Sequence, residues 1–297
     1  MADTYKYFDP AVAAKLGNLS LIARSVVEGF IAGLHRSPYH GSSLVFSEHR
    51  DYVKGDDPKH IDWRAYCRSE RLYVKQYEEE TNLRAYILLD ASASMGYGSG
   101  EVTKLQYASY LAASLAYLMI KQQDSVGLVA FDEDIRTFLP PRSTPAHFKR
   151  ILGHLDELEP GEPTNVSRTF HNLANHLKRR GLIIIISDLF DDPMRVLRAI
   201  RHFRHRQHEV MLFHLFDHAE LVFPFSGHSE FRDMETGARI QLEATAVRED
   251  YLALVEEFID TYKRDCAESR VDYLDIDNET PYDHLLQAYL VKRARLG

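Results

Sequence analysis

Ala85-Tyr86-Ile87-Leu88-Leu89-Asp90-Ala91-Ser92-Ala93-Ser94 decides the reading of this 297-residue chain. Five uncharged, largely apolar residues run straight into an acid, and hydroxyls follow at alternate positions. A buried strand that ends this way makes a poor core and a good cradle for a hard cation. Oxygen donors gathered at a strand's carboxyl end suit magnesium, manganese or calcium better than zinc. A loop leaving the strand in extended form puts alternate side chains on one side, so Asp90, Ser92 and Ser94 can converge.

From Leu83 onward, buried strands alternate with amphipathic helices. After the strand Ala85–Asp90 comes a helix over 102–122, then the strand Ser125–Phe131 with a hairpin return at 135–139. Helices are expected over 145–158 and 167–180. Leu182-Ile183-Ile184-Ile185-Ile186 reads as the central strand, apolar on both faces. A helix over 193–206, a strand over 209–216, and two short strands around the turn Glu235-Thr236-Gly237 come next. A long helix over 246–268, a strand over 271–276 and a helix from Pro281 complete the pattern. This order predicts an α/β fold: a doubly wound, mainly parallel sheet with helices on both faces. Upstream, residues 10–34 read as a single helix, and a strand is expected over 72–77. The chain divides at this level into an N-terminal helix and strand module, 1–82, and the α/β domain, 83–297.

Ligands of doubly wound sheets gather beyond the carboxyl ends of the strands, at the switch in strand order. Two further segments bring oxygen donors there: Thr164, in Gly161-Glu162-Pro163-Thr164-Asn165, and Asp188, past the central strand. Three hydroxyls and two acids leave a dication under-neutralised, so an incoming carboxylate would complete its charge and coordination. The bland reading of Ser92 and Ser94 is helix capping. Asp191 and Asp192, ahead of Pro193, read as helix-start residues and are left out of the site. Gly96-Tyr97-Gly98-Ser99-Gly100 lacks the last glycine of a dinucleotide fingerprint and reads as a turn.

Composition narrows the function. A net charge of −8 speaks against nucleic acid as the main partner. Arg198, Arg201, Arg204 and Arg206 read as the solvated face of a helix, and His202, His205 and His208 as a histidine-rich helix surface. No apolar run approaches the roughly 20 residues of a membrane span. The start lacks a signal-peptide layout, and two unpaired cysteines, Cys67 and Cys266, fit a reducing compartment, so a cytoplasmic location is expected. Neither a phosphate-binding GK[ST] loop nor a GxSxG elbow is present, and no catalytic base is assembled. A non-enzymatic binding role leads. The rival is a metal-dependent phosphoesterase using the same cation as Lewis acid.

Asp90-x-Ser92-x-Ser94, with Thr164 and Asp188 following in order, resembles the metal-ion-dependent adhesion site of von Willebrand factor A domains. The resemblance implies that the hydroxyls hold a divalent cation directly or through water, with magnesium first and manganese or calcium possible. The acids would act largely behind them, and a partner's Asp or Glu would fill the open position. Ala93 stands where glycine is frequent. Tyr52-Val53-Lys54-Gly55-Asp56-Asp57-Pro58-Lys59-His60-Ile61-Asp62-Trp63-Arg64, with Arg36-Ser37-Pro38 and Tyr77-Glu78-Glu79-Glu80, is similar to the hallmark of the bacterial domain-of-unknown-function 58 (DUF58) family. That resemblance implies partnership with a MoxR-type AAA+ ATPase or its client. Within this segment Asp57-Pro58 reads as a helix start and Trp63 as an anchor on the sheet domain. Asp56 or Glu79 is a candidate acid that closes the cation site in cis.

Overall fold

Residues 9–34, 49–51, 73–75, 83–161, 166–177 and 179–296 are described by the computed structural model of the chain. In chain order the elements begin with α1 (Pro10–Ala14), α2 (Leu19–Leu34), β1 (His49–Asp51), β2 (Tyr73–Lys75) and β3 (Arg84–Asp90). The middle of the chain contributes α3 (Lys104–Lys121), β4 (Ser125–Phe131), β5 (Ile135–Arg142), α4 (Pro145–Asp156), α5 (Val166–His176) and β6 (Leu182–Ser187). Then come α6 (Pro193–His205), β7 (Glu209–Phe216), α7 (His218–Val222), β8 (His228–Arg232), β9 (Arg239–Glu243), α8 (Ala244–Glu268), β10 (Asp272–Asp277) and α9 (Tyr282–Ala294).

Six strands form the central sheet in the order β10-β7-β6-β3-β4-β5. All neighbours are parallel except β4 and β5, which form the expected hairpin. The α/β doubly wound architecture is therefore the observed one. Every residue of β6 is buried. Ile184 and Ile186 pack with Leu111 and Leu115 on one face, and Ile183 and Ile185 with Phe170 and Phe203 on the other. A strand covered on both faces has no use for polar alternation, which is why it reads as a continuous apolar run.

α3 is buried along most of its length, lying between the sheet and α2. A capping box starts it: Thr103 Oγ1 accepts from Gln106 N, and Gln106 returns its side-chain oxygen to Thr103 N. Ile22, Val26 and Phe30 of α2 belong to the same apolar cluster as Leu111 and Leu115.

The single helix expected over 10–34 is two. Gly17 takes a left-handed backbone (φ 59°) after α1, and the Asn18 side chain accepts from Leu21 N at 3.1 Å to start α2. The strand expected over 72–77 is represented by β2, which pairs antiparallel with β1. The readings that concern Asp56, Asp57, Trp63, Glu79 and Thr164 lie outside the described residues.

Candidate metal centre

β3 and β6 lie side by side at the switch in strand order. The chain leaves β3 toward β4 on one side and returns to β6 on the other. Their register sets Leu89 beside Ile186, so the residues that follow meet at the carboxyl edge. There Ser187 Oγ donates to Asp90 Oδ2 at 2.5 Å and accepts from Leu189 N at 2.9 Å. Leu189 turns the chain with a positive φ of 52°.

Asp90 is fully buried, and its other oxygen accepts from Ser92 N at 2.9 Å. Ser92 Oγ lies 3.1 Å from Ser94 Oγ. Ser92 stands at the start of a short 3₁₀ turn, Ala93–Gly96, but its side chain caps nothing there. The two hydroxyls face each other instead, beside the Asp90 carboxylate. Burial and the neighbouring Asp188 push the Asp90 carboxyl up to about 7, against the pull of the Ser187 and Ser92 hydrogen bonds. A buried acid that resists ionisation, beside a second acid and two convergent hydroxyls, is a donor set that fits a hard divalent cation.

Asp188 is 3% exposed. Its Oδ2 accepts from Lys104 Nζ at 2.8 Å, and the same ammonium donates to Glu220 Oε1 at 2.8 Å. Lys104 is itself 1% exposed. Burial opposes its charge, yet the two carboxylates overcome that and hold its pKa above the ordinary lysine value. Glu220 is fixed from the other side as well, accepting from Asp217 N at 2.8 Å at the start of α7. Behind Asp188, the buried His214 donates from Nε2 to the Asp188 carbonyl (3.0 Å), and its Nδ1 accepts from the Tyr273 hydroxyl (2.8 Å). Burial lowers the His214 pKa to about 3, so the ring is neutral and suits these two roles.

Gly161, the last described residue ahead of Thr164, is tied to this edge. Gly161 N donates to Ala91 O at 2.7 Å. A Cβ at Gly161 would overlap the Asp132 carboxylate and crowd the Arg136 guanidinium, so a larger residue here requires those two side chains to shift. Gly161→Ala is expected to weaken magnesium binding at the candidate site roughly tenfold, the equivalent of about 1.4 kcal/mol, by loosening the bond from Gly161 N to Ala91 O. Calorimetric titration checks it; an unchanged dissociation constant would separate this bond from the site. The Gly96–Gly100 turn has a packing reason too: a Cβ at Gly98 would sit 2.7 Å from Thr103 Cα. Ser99 donates to Asp217 through both its amide (2.9 Å) and its hydroxyl (2.5 Å).

Of the five predicted residues, Asp90, Ser92, Ser94 and Asp188 are brought to one edge, and Thr164 lies outside the described residues. Sequence reasoning missed Ser187, Lys104, His214 and Glu220. Lys104 had a signal. It is the first residue of a helix, where a cation opposes the helix dipole and needs local acids to hold it.

Two surface readings change. His208 is buried beyond the end of α6, with Nε2 donating to Leu177 O at 3.1 Å, so it is not part of a histidine-rich surface. Arg201 pairs with Asp265 and Arg204 with Glu209, so α6 is tied to α8 and β7. Asp192 caps α6, accepting from Met194 N. A separate trio, His218, Asp277 and Glu279, could also converge on an ion; it is held as a surface pair by His218 Nδ1 and Asp277 Oδ2 at 2.7 Å.

The family described as "Protein of unknown function DUF58" matches residues 48–258. An uncharacterized protein of Mycobacterium tuberculosis is 26% identical over 247 residues, covering 82% of this chain and 77% of the relative. The YeaD protein of Bacillus subtilis, also uncharacterized, is 28% identical over 128 residues, 43% of this chain and 30% of the relative. Among solved structures, BatB of Bacteroides thetaiotaomicron shares 18% identity at a TM-score of 0.48, covering 72% of this chain and 99% of BatB. The SpRpn10 VWA domain shares 12% at 0.41, covering 69% and 93%.

Proposed function

Given that the chain belongs to the DUF58 family and builds a mainly parallel six-stranded sheet between helices, we propose that it is a non-enzymatic protein-binding module of the cytoplasm with a von Willebrand factor A-like fold. It captures a carboxylate of a partner at a divalent-cation site built from Asp90, Ser92, Ser94, Thr164 and Asp188. The observation that carries the reading is the convergence of Ser92 Oγ, Ser94 Oγ and the buried Asp90 carboxyl beside Asp188.

When bound, a magnesium ion would supply positive charge between the two acids and an open position for an oxygen ligand. The chain's own residues do the rest. Ser187 and Ser92 N orient Asp90, His214 holds the Asp188 backbone, and Gly161 N bonds Ala91 O between Asp90 and Ser92. The family resemblance points to a MoxR-type AAA+ ATPase or its client as the source of the carboxylate.

Two measurements test this. Magnesium at about a hundred times its dissociation constant should stabilise the fold by about 2.7 kcal/mol, raising the melting temperature by roughly 4 °C for a chain of this size. Asp90→Ala should remove that shift. A purified MoxR-type ATPase should be retained by the immobilised chain in magnesium and released by EDTA. Retention that survives both EDTA and Asp90→Ala would sink the cation bridge.

A further inference from the structure

The buried ammonium of Lys104 sits against Asp188, and nothing in the carboxylate-capture reading requires it. Its two 2.8 Å bonds take one oxygen of Asp188 and one of Glu220. Among the described residues, the remaining Asp188 oxygen meets only a long contact from Phe190 N, at 3.4 Å. A divalent cation drawing on Asp188 therefore faces a positive charge already bound to the same carboxylate. Like charges that share one acid in a buried setting repel strongly, since water screens them little. Glu220 counterbalances. Its carboxylate is locked by Lys104 on one oxygen and by Asp217 N on the other, so it holds the ammonium away from exclusive pairing with Asp188.

We propose that Lys104 is a resident counter-ion that competes with the divalent cation for Asp188, with Glu220 setting the strength of that competition. The proposal rests on the cation-binding reading above and assigns Lys104 and Glu220 as affinity-determining positioning residues. In the ion-free chain the ammonium keeps the Asp188 carboxylate compensated, so the edge stays folded without a dication. In the loaded chain the same charge weakens the hold on the ion and keeps the site exchangeable.

A plain structural staple predicts the opposite sign. If Lys104 only fixed the Asp188 rotamer, its removal would loosen the site and weaken ion binding. The test is isothermal titration of magnesium chloride, and separately manganese chloride, into the full chain and three variants, each checked for fold by circular dichroism and melting. Lys104→Met is expected to bind magnesium at least roughly tenfold more tightly. Glu220→Gln, at a position whose side chain is 23% exposed, should bind it several-fold more weakly. In the double variant the Glu220→Gln effect should vanish, because it acts through the ammonium.

A folded Lys104→Met variant with unchanged or weaker affinity overturns the proposal. If that variant does not fold, Glu220→Gln decides: unchanged or tighter binding overturns it. Failure of the underlying reading looks different. When neither ion binds the unaltered chain or any variant, the cation site itself is wrong. When ion binds with an affinity that ignores both substitutions, the site stands and only the counter-ion role falls.

Discussion

Asp90→Asn is expected to leave stability nearly unchanged at pH 4 and to raise it by several kcal/mol at pH 8 in the absence of divalent ions. The folded Asp90 carboxyl sits at about 7, pushed up by burial and by Asp188, against an unfolded value near 3.9. Between those values the folded chain holds a proton that the unfolded chain has released. Its stability contribution is complete below pH 4 and is lost as the pH climbs through 7. Asparagine has no proton to lose and cannot repel Asp188, so the difference between the two proteins opens across that window. Urea unfolding in EDTA from pH 4 to 8 measures it. A gap that is flat with pH would mean that Asp90 is not strained.

The wild-type curve alone would hide this. His214 is neutral when buried, with its pKa lowered to about 3 by burial. Its contribution is present above the unfolded value near 6.5 and is lost as the pH falls toward 3. The two slopes have opposite signs over nearly the same interval. Asp90→Asn therefore also uncovers an acid-side loss. On the proposed cation reading, magnesium should narrow the gap at pH 8 by stabilising only the wild type.

Arg293→Ala should cost about 2–4 kcal/mol, close to the full effect of breaking a buried pair and reduced because Arg293 is partly exposed. Asp124 is 1% exposed and accepts from Arg293 through both Nε (2.6 Å) and Nη2 (3.3 Å), and from Leu83 N (3.3 Å). The staple thus ties α9 to the starts of β3 and β4. Alanine leaves the carboxylate buried with Leu83 N and a long bond from the Tyr289 hydroxyl (3.5 Å) as its donors. Arg293→Ala combined with Asp124→Asn should cost less than the two changes added, since the stranded charge is gone. Additive costs by urea unfolding would show that the two residues act independently.

Sequence and structure agree where one physical signal dominates. Ser125–Phe131 and Glu209–Phe216 fall at their predicted limits because apolar β runs bounded by polar residues leave little choice. The Asp90, Ser92 and Ser94 cluster was legible because polar residues that end a buried strand are costly without a partner. The break at Gly17 was hidden because the apolar stripe continues across it. Lys104 drew no reading, since its burial depends on Asp188 and Glu220, 84 and 116 residues away. His208 was placed on a helix it only follows.

The hydrogen bond from Ser187 to Asp90 joins residues 97 apart in the chain. Parallel pairing of β3 with β6 must close that span before any donor set exists, and such non-local closure is a slow step in folding. A nascent chain that has emerged only as far as β5 carries Asp90, Ser92 and Ser94 but has no Asp188 edge to complete them. Acquisition of the site thus reports that the two halves of the sheet have joined. A partner selecting for the completed edge would recognise finished molecules and pass over growing ones.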